Sequence, residues 1–183
     1  PDDGNLLPPD ELHTAVENLG IRHDMTVVVY IGNKASSSSG WRIAWALMCA
    51  GVDDVRVLNG GYDAWVADGG VLQTTVNTLS QVDFGIPAPE EHPIYRTTTE
   101  DIMEMIEDPD SVIVDIRRWT EHTGEDGGTN YIFFTAAGHI PGAIYGENSS
   151  WYIDTDKTLR SYAEVLNMWE ERGIIPYKNR LTF

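Results

Sequence analysis

The chain has 183 residues, 42% of them apolar and 10% aromatic, enough for one generous domain or two small ones with a sizeable core. Lys plus Arg is 12 and Asp plus Glu is 29, and the resulting net charge of -17 opposes binding to nucleic-acid phosphates or anionic lipid and excludes both as main partners. With Cys49 as its one cysteine it can form neither an internal disulfide nor a cysteine-based zinc site, and it has no apolar run long enough to cross a membrane.

The first residue is Pro1 rather than Met, so the chain is expected to be processed or to be a piece of something longer. Pro8-Pro9-Asp10-Glu11 predicts the start of a helix in which Leu12, Val16 and Leu19 share a face and which Gly20 closes. Thr26 to Tyr30 is a β-branched run without alternation, the pattern of a strand buried on both faces of a parallel sheet. A loop of small residues, with Ser36 to Ser39 at its centre, joins it to a helix from Trp41 to Ala50 that is apolar nearly all round and is expected to pack on most sides. A loop between a strand's carboxyl end and a helix's amino end aims free N–H groups and the positive end of the helix dipole at one point, which suits an anion. Its bland alternative is a flexible serine loop. Arg42 matches the dipole poorly; anion binding and a salt bridge to an acidic neighbour both account for it. Val55 to Leu58 reads as a second strand, Asn59-Gly60-Gly61 as a tight turn and Tyr62 to Asp68 as a short helix. This alternation predicts an α/β fold with a central parallel sheet flanked by helices.

From about residue 70 to 96 the pattern dissolves into polar residues and prolines, so 73–95 reads as a linker between a first segment, 1–72, and a second, 96–183. Thr97 to Glu100 supplies a capping box for a helix through Ile102, Met105 and Ile106, and Ser111 to Ile116 reads as a buried strand containing Asp115. A polar excursion, Gly124 to Asn130, precedes the turn Gly138-His139-Ile140-Pro141-Gly142 and one more short strand. A helix from Ser161 to Arg172 stops at Gly173, and Arg180 to Phe183 looks like the start of a strand. Asp115 and Arg117 sit where α/β sheets place ligands, with an ion pair that fixes the next loop as the equal alternative. His139 reads as a hydrogen-bonded turn residue and Cys49 as a buried structural thiol. His13, His23, His92 and His122 show no paired metal-ligand spacing, and the glycines form no dinucleotide or P-loop signature, so neither metal nor cofactor is expected.

Advancing the sequence by 153 residues places Asp3 on Asp156, Leu6 on Leu159, Glu11 on Glu164, Glu17 on Glu170, Gly20 on Gly173 and Ile21 on Ile174. Val28 to Tyr30 then falls on Leu181 to Phe183. The chain thus reads as the back part of one module, a linker, and the front part of a second copy that stops before its own version of the serine loop.

Val114-Asp115-Ile116-Arg117 through Glu121, followed by Gly138-His139-Ile140-Pro141-Gly142-Ala143-Ile144, resembles the front half of a rhodanese (sulfurtransferase) module. Val27 to Tyr30, Gly40-Trp41-Arg42 and Val55 to Gly61 with Trp65 resemble the back half. The length of the Trp119 to Ala137 excursion is most similar to multi-module thiosulfate sulfurtransferases of bacteria, including an exported type, so the compartment is either a bacterial cell envelope or cytoplasm. The resemblance implies a persulfide mechanism, in which a loop cysteine takes the outer sulfur of thiosulfate or a similar anion and passes it to cyanide or a thiol. It also implies Asp115, Arg117, Glu121 and His139 as substrate-binding candidates.

In the first module the active-site loop is degenerate. Counting back five from Arg42 gives Ser37, counting forward from Tyr30 gives Gly32, and neither can hold a persulfide. The cysteine of the second copy is expected about two residues after Phe183, so these 183 residues are expected to be inactive within an active parent protein. The alternative is a non-catalytic rhodanese-like module that binds an anion or serves as a scaffold. Each half-sheet would leave apolar edges open, so completion by other segments, self-association or a domain swap is expected.

Overall fold

The computed structural model describes residues 6–32, 39–88, 98–125 and 137–174 and the backbone of 180–182, and the chain divides into two units, 1–96 and 97–183. In the first unit α1 (Pro9–Asn18), β1 (Thr26–Val29), α2 (Ser39–Ala50), β2 (Asp54–Val57) and α3 (Gly61–Ala67) alternate as the sequence predicts. The two strands run parallel with Thr26 opposite Asp54 and Val29 opposite Val57. Proline at the start of α1 loses nothing, because a first-turn N–H has no intrahelical acceptor. The core joins Leu12 and Val16 of α1, Leu47, Cys49 and Ala50 of α2, and Val52 and Phe84. His13 is buried beside them, its Nε2 2.8 Å from the carbonyl oxygen of Ala50.

Four expectations change here. β1 is covered on one face: Val27 and Val29 pack against the core, whereas Val28 is 54% exposed. A β-branched run looks the same whether one or two faces are covered, and in this unit helices α1 and α2 pack on the Val27 side. α2 likewise buries one stripe, Ala44, Leu47 and Ala50, and leaves Trp41, Ile43 and Met48 exposed. Leu19, expected on the buried face of α1, is its C-cap and is exposed, because the chain leaves the helix there. Part of the 73–95 stretch belongs to the first unit's core. The Val82 and Phe84 N–H groups donate to the carbonyl oxygen and carboxylate of Glu17 (3.2 and 3.1 Å), the His23 N–H donates to the Phe84 carbonyl (3.0 Å), and the Phe84 ring is 1% exposed. Burying one phenylalanine contributes about 2–3 kcal/mol, yet a single ring among polar residues hardly changes local composition.

The second unit contains α4 (Thr99–Glu107), β3 (Ser111–Asp115), α5 (Trp119–Thr123), β4 (Ile144–Tyr145), α6 (Tyr162–Glu171) and β5 (Arg180–Thr182). Its strands form a parallel sheet in the order β4-β3-β5, with Val114 opposite Ile144 and Ile113 opposite Thr182. Capping boxes open two of its helices, Thr98 with Asp101 for α4, one residue beyond the expected Thr97 to Glu100, and Ser161 with Glu164 for α6. Val112, Val114 and Ile174 form its core with Ile144 and Trp169 packed around them.

The helix bounds obey the 153-residue step, since Pro9 advances to Tyr162 and Asn18 to Glu171. Gly20 and Gly173 both sit at φ +75°, the left-handed conformation that closes a helix without steric penalty. Their N–H groups donate to Glu17 and Glu170, and the following Ile21 and Ile174 donate to Val16 and Trp169, so the two closures share one hydrogen-bond pattern.

Candidate site at the carboxyl end of the second unit's central strand

Asp115 is the last residue of β3, and its carboxylate is 7% exposed. Four donors reach it. Oδ1 accepts from the Arg117 N–H and Nε (both 3.0 Å); Oδ2 accepts from Arg117 Nη2 (2.7 Å) and lies 3.0 Å from His122 Nδ1. Four bonds use the acceptor sites of a carboxylate, so Asp115 has none left for a ligand and acts as the organiser of the corner. Burial alone would raise its pKa, but the Arg117 side chain, the Arg117 N–H and His122 outweigh that and hold it down to about 2. The hydrogen bond from Asp115 in turn raises the pKa of Arg117.

Arg117 Nη2 also donates to the Gly138 carbonyl at 2.8 Å. Nε and Nη2 are thus engaged, whereas among the described residues Nη1 has no partner, and the side chain is 42% exposed. A guanidinium held flat by a carboxylate, with one edge free, is a preorganised donor for an oxyanion.

The chain reaches this geometry through α5. The Arg118 N–H and Nε both donate to the Glu121 carboxylate at 3.1 Å, which turns the chain into a one-turn helix that Gly124 ends at φ +79°. That turn carries His122 back over the end of β3. Its imidazole lies 3.9 Å from that of His139 at an interplanar angle of 11°, and His139 Nδ1 lies 2.7 Å from the His122 carbonyl oxygen. Trp119 stacks beyond His122 at 5.7 Å and meets Tyr145 edge-on at 5.1 Å. The Gly146 N–H donates to the Asp115 carbonyl (2.9 Å), and Arg172 of the turn after α6 holds the Tyr145 carbonyl (3.0 Å) and pairs with Glu147.

The structure brings three of the sequence-predicted residues together, Asp115, Arg117 and His139, and places Glu121 one step outward as the partner of Arg118. His122, which the sequence reading set aside as a metal ligand and gave no other role, is a full member of the cluster. The Arg118/Glu121 pair was the available signal, because an arginine with an acid three residues on starts a turn that brings the next side chain back over the strand. In the first unit Gly32 is exposed just beyond β1 and Arg42 is exposed in the first turn of α2, whereas Ser37 lies outside the described residues. There the chain crosses itself closely: the Tyr62 N–H donates to the Ile31 carbonyl (2.9 Å), and Gly61, at φ +59°, has no room for a Cβ, which would lie 2.6 Å from that oxygen. Cys49 is buried in α2, and burial pushes its thiol up to about 11.

Rhodanese-like domain sequences match this chain over residues 2–68 and 98–180, which include both strand-and-loop segments and the Asp115 corner. The chain belongs to the rhodanese-like family. Among rhodanese relatives, thiosulfate sulfurtransferase YnjE of Escherichia coli is 31% identical over 94% of this chain and 40% of its own length. The sulfur carrier protein TtuD of Thermus thermophilus is 29% identical over 98% of the chain and 63% of its length. A crystal structure of the anaerobic ergothioneine biosynthesis enzyme from Chlorobium limicola, in complex with its natural substrate trimethyl histidine, has the same rhodanese fold. It superposes with a TM-score of 0.87 at 34% identity over 100% of this chain and 47% of that one. Another solved structure, of a variant of EanB, holds ergothioneine covalently linked with a persulfide cysteine and superposes with a TM-score of 0.87 at 34% identity over 100% of this chain and 47% of that one. This rhodanese-like chain therefore spans between 40% and 63% of the lengths of these proteins.

Proposed function

We propose that the chain is part of a sulfane sulfurtransferase, and that the Asp115–Arg117 corner receives the anionic sulfur donor, thiosulfate or a close relative. The observation that carries this reading is the Arg117 guanidinium, fixed by Asp115 and the Gly138 carbonyl with Nη1 left over among the described residues, at the end of a strand in a family whose relatives include thiosulfate sulfurtransferases. A sulfonate-type oxyanion suits that free edge.

The nucleophile in this reading is a cysteine outside the 183 residues. Parallel strands end on one edge, and Thr182 stands opposite Ile113. Continuing that register two residues past Phe183 reaches the level of Ile116, between Asp115 and Arg117. A thiolate there attacks the outer sulfur of thiosulfate; the S–S bond breaks, sulfite leaves with the bonding electron pair, and a cysteine persulfide remains. Cyanide or an acceptor thiolate then attacks the outer persulfide sulfur, giving thiocyanate or a new persulfide and restoring the thiolate. Cys49 does not serve, being buried with its thiol held protonated.

The test is thiocyanate formation from thiosulfate and cyanide by the protein including whatever follows Phe183, with a cysteine in that position intact and replaced by serine. Activity that needs the cysteine, with none in the 183-residue chain, supports the enzyme. Absence of turnover with retained thiosulfate binding supports the non-catalytic anion-binding module instead.

A further inference from the structure

Resting on that reading of the corner, we infer that His122 is a positioning residue for the anion site, fixing the Asp115 carboxylate and through it the plane of the Arg117 guanidinium. The geometry distinguishes two contributions of this side chain. Any flat ring could make the stacking contacts with Trp119 and His139. What the imidazole adds is a donor, Nδ1 at 3.0 Å from Oδ2, and against an ionised carboxylate that nitrogen carries the proton. His122 is 9% exposed, so water is a poor substitute for it.

The consequence passes through one oxygen. Oδ2 holds two donors, Arg117 Nη2 and His122 Nδ1, while both donors on Oδ1 come from Arg117. Without His122, every side-chain donor on Asp115 belongs to the arginine it is supposed to orient. Oδ1 stays anchored by the Arg117 backbone N–H, but Oδ2 and the guanidinium can then pivot together about that point, taking Nη2 away from the Gly138 carbonyl and Nη1 away from the bound anion. The stack supports the same end: His139 is tied by Nδ1 to the His122 carbonyl, so the turn bearing Gly138 and the helix bearing His122 are fastened to each other at two points, ring against ring and ring against backbone.

Two substitutions separate the donor from the ring. His122→Phe keeps a flat ring and removes the donor; His122→Asn places an amide N–H near the position of Nδ1 and removes the ring. In the full-length protein the inference expects His122→Phe to raise the KM for thiosulfate about tenfold, the loss of one charge-assisted hydrogen bond, with kcat within about twofold, and His122→Asn to recover most of it. The Nε–H resonance of Arg117 gives a readout that does not require turnover: sharp in the wild type and in His122→Asn, exchange-broadened in His122→Phe. The reverse ranking, with His122→Phe normal and His122→Asn impaired, would mean that the ring acts by packing, and overturns the inference. If the wild type forms no thiocyanate, the sulfurtransferase reading fails separately. His122 is then judged by the Arg117 resonance and by thiosulfate binding, where indistinguishable results for the wild type and His122→Phe overturn it.

Discussion

Arg117 Nη2 and the carbonyl oxygen of Gly138 lie 2.8 Å apart, so one guanidinium ties the carboxyl end of β3 to the turn that leads into β4. The same nitrogen holds Asp115 at 2.7 Å. Lysine carries the charge but cannot chelate a carboxylate and reach a second carbonyl in one plane. Arg117→Lys is therefore expected to lower kcat/KM for thiosulfate by about 10- to 100-fold, corresponding to charge-assisted hydrogen bonds of about 1.5–3 kcal/mol. Steady-state kinetics on the full-length protein checks this, with circular dichroism to show that the fold is kept.

Asp115 also sets an acid limit. Its carboxyl falls from an ordinary value of 3.8 to about 2 in the folded protein, so the unfolded chain takes up this proton first as the pH falls. The stabilisation is complete above about pH 4 and is lost as the pH drops through about 2, to a total of about 2 kcal/mol. Urea unfolding at a series of pH values should show this limb in the wild type and a shallower one in Asp115→Asn. Parallel curves would show that the pair contributes nothing to stability.

Cys49 should be inert in the native state. With burial pushing its thiol up to about 11 rather than 9, the thiolate fraction at pH 8 is about 100-fold smaller than for a free cysteine, before access is counted. A disulfide reagent is expected to label it at least about 100-fold more slowly in buffer than in denaturant. Cys49→Ala should leave sulfur transfer by the full-length protein unchanged.

Phe84 is expected to matter out of proportion to its surroundings. Removing its ring empties a site against His13 (ring centroids 4.3 Å apart) and beside His23. Phe84→Ala should destabilise the first unit by about 3–5 kcal/mol and free the strap it anchors. Denaturant midpoints report the first effect, and new protease cleavage between residues 80 and 88 reports the second.

Those residues also mark where sequence reasoning stopped. Helix ends were legible because they are written locally: Gly20 and Gly173 take the left-handed conformation that closes α1 and α6, and hydroxyl side chains at Thr98 and Ser161 open α4 and α6. The ion pair of Asp115 with Arg117 was legible because a strand end followed by a charged pair is a local pattern. His122 was not, since its meaning depends on a turn of α5 that brings it onto a carboxylate seven residues earlier. Phe84 was masked by polar neighbours, and the open face of β1 by residues that look alike on either side of a strand. In each case the deciding contact is tertiary, and neither composition nor periodicity records it.

The pairing of Asp115 with Arg117 has a kinetic consequence. A guanidinium already neutralised by its own carboxylate attracts at contact, through N–H groups, and exerts little pull at a distance. The chain around it carries a net charge of -17, so an incoming dianion first moves uphill against a repulsive field. That field fades within a screening length of about 8 Å at physiological ionic strength. Added salt should therefore speed the encounter, the opposite of what a cationic funnel would give.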